Sequence, residues 1–276
     1  MKIVLKFIVI IITCIVVNVL SSDNNTTSGK CGEKATWNFD EDTFTLCING
    51  SGKIDDYGDN NLPPWFLFKT LIHTVIIEEG VTYIGSDCFK HCVSLSSVSI
   101  PSSVSTIGYQ AFKECYNLKA VSFPGLQIIG RKVFESCYSL ETLTLPAGLV
   151  SMGERKGVHN SPFTDCRSLI SIEVDASNTK FASYDGVLFS KDNKTLYQYP
   201  GGKTGNYSIP DTVTTIGTSA FGGCQFLRSV TIPDSVTTIK DSAFYESSVE
   251  SIIIPFLACW ILNKVFTVFS EQNTII

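Results

Sequence analysis

Charge is scarce in this sequence, and basic charge scarcest: 21 Lys and Arg stand against 26 Asp and Glu in 276 residues, for a net charge of -5. No basic run is present to neutralise a phosphate backbone, which sets nucleic acid aside as a partner. Histidine is equally sparse, with His73, His91 and His159 at unrelated positions. There is no His-Glu-x-x-His, no Gly-x-Ser-x-Gly, no phosphate loop and no convergent carboxylate pair, so catalysis and cofactor binding have no starting residues. Beyond the N terminus no uninterrupted apolar run approaches the about 20 residues that a bilayer span needs.

What is present begins with "MKIVLKFIVIIITCIVVNVLSS", in which Lys2 and Lys6 precede an apolar run and small residues follow. That layout is a secretory signal peptide over residues 1–21; the alternative is an uncleaved signal anchor with Lys6 snorkelling. An oxidising, glycosylating route would then open five sequons, at Asn24, Asn25, Asn49, Asn193 and Asn206.

Internal repetition decides the architecture. The stretch "VTYIGSDCFKHCVSLSSVSIPSS" from Val81 returns from Val104, Leu126, Val213 and Val236, and from Leu149 with a six-residue insertion, giving six copies of a 22–23-residue unit. Phe89, Phe112, Phe134, Phe163, Phe221 and Phe244 recur once per unit and imply a shared inward column. The segment Leu-x-x-Val-x-Ile alternates like a strand with one buried face, and the proline after it, as at Pro101, Pro124 and Pro146, marks a corner. The segment after the corner suits one or two helical turns, too short to stand alone. A single coil cannot bury its own apolar side, so the coils must stack and their ends need caps.

The expected organisation follows. Residues 22–74 form an N-terminal cap, with Trp37 and Phe39 facing Phe44, Leu46 and Ile48 across a hairpin. Residues 75–257 form the stack, interrupted at 175–211 by a hairpin of Val187–Ser190 and Thr195–Gln198. Residues 258–276 form an apolar C-terminal cap or truncated tail.

The unit Ile-Gly-x-x-Ala-Phe-x-x-Cys-x-x-Leu-x-x-Val-x-Ile-Pro, at residues 107–124 and 216–233, resembles the BspA-like class of leucine-rich repeats. The resemblance implies a leucine-rich-repeat solenoid of mainly short parallel strands, carried on cell-surface or secreted proteins of bacteria and mucosal protists and associated with adhesion. Two departures stand out. Ser247 replaces the repeat cysteine with one residue missing before Val249, and no wall-sorting signal or long span is evident.

Cys92, Cys115, Cys137, Cys166 and Cys224 each follow the repeat phenylalanine by three residues, so they read as a ladder of buried, reduced thiols. Cys88 occupies the alanine position of Ala111 and is a small core residue. In "DCFKHCVSL" this removes the zinc reading of Cys88, His91 and Cys92, because His91 takes the outward place of Glu114 and Ser136. Cys31 and Cys47 flank the cap hairpin and are the one expected disulfide. No metal or cofactor is expected.

Function then falls to surface. Ser97, Ser99, Ala120, Ser122, Thr142, Thr144, Ser171, Glu173, Ser229 and Thr231 point outward from the strands. They form either a shallow ligand face for protein or glycan, helped by the inserted loops, or a merely solvated wall. The expectation is a secreted or cell-surface, adhesin-like binding module without catalysis; the alternative is a structural or antigenic repeat protein with no dedicated ligand.

Overall fold

One unit offers an apolar strand face and an aromatic ring with nothing of its own to bury them against, so each coil is completed by the next. The computed structural model describes residues 26–254 apart from 156, 157 and 160. The expected leader, Cys14, Asn24, Asn25, Cys259 and the tail 258–276 lie outside them.

The antiparallel strands β1 (Thr26–Lys30), β2 (Ala35–Asp40) and β3 (Thr45–Gly50) make the cap. After β4 (Gly52–Lys53) and one 3-10 turn, Phe66–Phe68, the coils run through β5 (Thr74–Ile77), β6 (Val81–Ile84), β7 (Ser97–Ser99), β8 (Thr106–Ile107), β9 (Ile128–Ile129), β10 (Thr142–Leu145) and β11 (Ser151–Met152). The six-residue insertion holds the antiparallel pair β12 (Glu154–Arg155) and β13 (Val158–His159). Then come β14 (Ser171–Val174), β15 (Phe181–Tyr184), β16 (Val187–Ser190), β17 (Thr195–Gln198), β18 (Gly205–Ser208), β19 (Thr215–Ile216), β20 (Leu227–Thr231), β21 (Thr238–Ile239) and β22 (Ser251–Ile253).

These strands stack into two parallel ladders. The first, from the Leu-x-x-Val-x-Ile segments, runs β3-β5-β7, then β10-β14, then β18-β20-β22; the second, after the proline corner, runs β4-β6-β8-β9-β11 and then β17-β19-β21. Between them lies the turn that carries the phenylalanine.

That turn is not helical, which corrects the expectation. Asp87, Gln110, Lys132, Ser219 and Ser242 have positive φ, and so do His91, Glu114, Ser136, Asp165 and Glu246 four residues later in the unit. A right-handed helix cannot propagate through left-handed residues, so the amides turn to the neighbouring coil instead. Phe89 N donates to Ala111 O at 2.8 Å, His91 N to Lys113 O at 2.9 Å, and Glu114 N to Glu135 O at 2.8 Å. Among the described residues the Phe66–Phe68 turn is the one helical element.

The aromatic column is longer than the repeat count suggests. Trp65, fully buried, stacks on Phe89 with centroids 5.5 Å apart, and Phe89, Phe112, Phe134 and Phe163 continue at 5.1, 5.5 and 6.0 Å. Trp65 therefore opens a first coil inside the expected cap. Its spacing, one residue too long before Ile72, hides it from a strict register.

The interruption is also smaller than 175–211. β17 joins the second ladder and β18 the first, so residues from Thr195 onward are a compressed coil with Tyr199 stacked 5.5 Å from Phe221. This coil is too short to separate its neighbours at the turn. Asp165 N reaches Gly222 O directly at 3.3 Å, and a Cβ on Gly223, whose φ is +72, would lie 2.3 Å from Asp165 Cα. The pair Gly222-Gly223 is thus a steric requirement of the compression.

Two substitutions test this packing by urea denaturation. Phe112→Ala, in mid-column, is expected to cost about 3–5 kcal/mol. Gly223→Ala is expected to cost at least about 1–2 kcal/mol although it adds one methyl, since it meets both a left-handed φ and a backbone contact.

Candidate functional site

The thiols come first because their geometry is the most regular. Cys88, Cys92, Cys115, Cys137, Cys166 and Cys224 are free and buried. Cys115 Sγ donates to Phe89 O at 3.3 Å, Cys137 Sγ to Phe112 O at 3.2 Å, Cys166 Sγ to Phe134 O at 3.1 Å and, more loosely, Cys224 Sγ to Tyr199 O at 3.8 Å. These four thiols bond back to the aromatic residue of the preceding coil, so the ladder is a structural seam. Burial disfavours the thiolate and lifts Cys92 to about 12, with Cys88, Cys115 and Cys166 well above the ordinary range. His91 sits on the turn surface with Nδ1 2.8 Å from Glu114 Oε2. Among the described residues no group of three or more His, Cys, Asp and Glu is arranged to hold a metal ion.

The expected Cys31–Cys47 bridge is not formed. Cys47 is disulfide-bonded, but Cys31 keeps a free thiol. Alternation along β3 explains this: Leu46 and Ile48 enter the main core with Cys31, whereas Cys47 points to the opposite face and packs with Ile76.

Of the sequons within the described residues, Asn206 is exposed on β18. Asn49 pairs its carboxamide with Asn38, and Asn193, in a left-handed turn position, donates Nδ2 to the Tyr184 hydroxyl at 3.2 Å.

The outward strand residues do reach one side of the stack, but in three sections. Ser97 and Ser99 extend the cap sheet through β7; Thr142, Thr144, Ser171 and Glu173 lie on the β10-β14 pair; Asn206, Ser208, Ser229, Thr231 and Ser251 lie on β18-β20-β22. The first gap is at residues 120–123, which form no strand and leave Ser122 outside the ladder. Phe123 stands there where other coils have Ile100, Leu145 or Ile232, and its buried ring lies 6.3 Å from that of Phe134. A groove of 490 Å³ lies over this gap, walled by residues 96–100 and 119–122, and a second of 540 Å³ lies along Ser208, Thr231 and residues 232–235.

The second gap is filled by the hairpin. Ile172 N donates to Gly186 O at 2.9 Å, so the hairpin occupies the edge of β14 that the next strand would take. Glu173 is engaged by the Ser171 and Ser183 hydroxyls. β16 is buried on both faces, Val187 and Phe189 on one side and Leu188 on the other. The hairpin body is therefore core, and its turns are what it offers to solvent, Tyr184 and Asp185 at one and Lys191, Asp192 and Lys194 at the other.

Parallel coils with an inward Phe and Leu column, proline corners and a hydroxyl-bearing strand face define a leucine-rich-repeat solenoid. The BspA type leucine rich repeat region matches in six copies across residues 65–195 and 193–276, and the chain belongs to that family. Among solved structures it is similar to a leucine-rich repeat protein from Eubacterium ventriosum, at 21% identity and a TM-score of 0.62 over 84% of this chain and 73% of that one. It is also similar to the pneumococcal vaccine antigen PcpA, at 17% identity and a TM-score of 0.51 over 82% of this chain and 70% of that one. No curated protein matches.

Thiol reactivity gives a direct check. Iodoacetamide at pH 8 is expected to leave Cys92, Cys115, Cys137, Cys166 and Cys224 unlabelled in the native protein and to alkylate all five in denaturant, read by peptide mass spectrometry. Fast native labelling of any one would show that its rung is open.

Proposed function

We propose that the chain is a secreted or cell-surface binding module without catalysis, adhesin-like, that recognises a host or matrix protein through its first strand ladder. The observation that carries this reading is the long row of short hydroxyl side chains on one side of the stack, hollowed by two shallow grooves of 490 and 540 Å³. Such a face makes many modest contacts at small entropic cost, because Ser and Thr lose little rotamer freedom. A protein fits better than a glycan, since no outward strand position carries an aromatic ring to stack on a sugar. The inserted hairpin contributes its exposed turns alone, its body being committed to the core.

The second reading, a structural or antigenic surface repeat with no dedicated ligand, draws on the same face, whose described strands carry no exposed Trp or Tyr and one exposed Arg, Arg228 on β20.

Binding of the purified protein to immobilised matrix proteins and to host cells separates the two. Under the first reading, Thr142→Arg combined with Thr144→Arg lowers affinity at least about tenfold, while Tyr184→Ala changes it by less than about threefold. Specific binding that ignores the double substitution moves the site off the strand face. Absence of saturable binding to any probe favours the second reading.

A further inference from the structure

We infer that residues 181–254 form a second capped array with its own core, an independently opening unit joined to the first along the turn side of the stack and at the edge of β14. The inserted hairpin is its cap. At the N terminus the sheet order β1-β2-β3-β5-β7 is two antiparallel pairings followed by two parallel ones. The sheet β15-β16-β17-β19-β21 repeats that order and those directions. A strand hairpin that covers the open end of a stack of parallel coils is what a repeat array needs to terminate.

Coil-to-coil strand pairing is lost at the same place in both ladders. The first ladder, already interrupted once between β7 and β10, breaks between β14 and β18, and the second, continuous up to that point, breaks between β11 and β17. The buried side chains divide there too: one core runs from Cys31 to Leu188 and another from Val187 to Ile252, with β16 as the partition that sends Leu188 to the first and Phe189 to the second. At the junction Gln198 is 1% exposed, and its carboxamide oxygen has no hydrogen-bond partner, an unfavourable feature for a continuous core. From coil to coil the turns stay in step, through Asp165 N to Gly222 O at 3.3 Å and Gly202 N to Leu169 O at 2.8 Å, while β14 meets the hairpin cap through Ile172 N to Gly186 O at 2.9 Å and Val174 N to the Ser183 hydroxyl at 3.1 Å. In a one-dimensional array, stability is the sum of the units and their nearest-neighbour interfaces, so a weakened interface divides cooperativity.

Hydrogen exchange of the full chain, followed by peptide mass spectrometry across a urea series, tests this. The expected result is a step: amides of β16–β22 lose protection together, at lower urea than those of β5–β10, with the change falling between Val174 and Val187. Phe189→Ala is expected to lower protection in β18–β22 roughly a hundredfold while leaving β5–β10 within about twofold. Should that variant fail to fold its C-terminal coils, protected β5–β10 amides beside an exchanged C-terminal half report the same independence. A single transition for all strands overturns the inference, as does a smooth decline toward Ile253 from end fraying. Equal loss in both halves on Phe189→Ala overturns it as well.

Discussion

The repeat stack depends on one constraint: a coil closes only short turns on itself, such as Cys92 N to Phe89 O at 3.1 Å, and the rest of its backbone is satisfied by its neighbours. Two left-handed residues in five of the six units, and Asp165 alone in the sixth, stop the turn from continuing as a helix, and the freed amides donate across the coil spacing. With the turns held in register, the phenylalanines stack nearly parallel, as at 8° between Phe112 and Phe134 and 4° between Phe221 and Phe244. The cysteine is explained by the same spacing. It is small enough for the inner turn, and its weak donor reaches the carbonyl of the preceding aromatic residue. A larger residue there would push the coils apart, and an apolar one would leave that carbonyl with one fewer partner.

Function is confined by that architecture. Turn and corner side chains are committed to contacts between coils, as in the Lys113–Glu135 pair at 3.0 Å and the Ser103 hydroxyl on Val81 O at 2.7 Å. The first ladder is freer, because its inward residues do the packing and its outward ones need only be compatible with an exposed strand. A surface relieved of structural duty is where recognition is cheapest to place. The inserted hairpin shows the opposite case: it looks like a loop available for binding, yet its central strand is buried on both sides.

Much of this was legible in the sequence because the unit is periodic and its apolar positions have single roles. The Phe column, the proline corners, the strands Val187–Ser190 and Thr195–Gln198, and the buried thiols follow from register alone. The turn conformation was missed, although a signal was present: the left-handed positions carry Asp, Gln, Lys, Ser, His or Glu and no β-branched residue. Trp65 was missed because one extra residue shifts it from the repeat spacing. The Cys31–Cys47 pairing failed because adjacency in a hairpin says nothing about which face of the sheet a residue occupies; counting alternation from Leu46 would have placed Cys47 on the wrong side. The division of the strand face could not be read from the unit, since residues 120–123 keep the repeat pattern yet form no strand and the second gap follows the hairpin's three-dimensional path.

The compressed coil shows how such a stack tolerates irregularity. Shortening a unit removes side chains from two ladders, and the gap must close somewhere. It closes at the turn, where Gly222 and Gly223 let two non-adjacent coils touch, while strands on the other two sides are replaced by the hairpin. Insertion and compression are therefore one event: the hairpin supplies the apolar surface, through Phe181, Leu188 and Phe189, that the shortened coil no longer provides. An isolated insertion would have left the ends of both cores exposed, and an isolated deletion would have forced backbones into contact. Together they let a repeat stack end and begin again within one chain, with the first-ladder strands resuming beyond the hairpin as β18, β20 and β22.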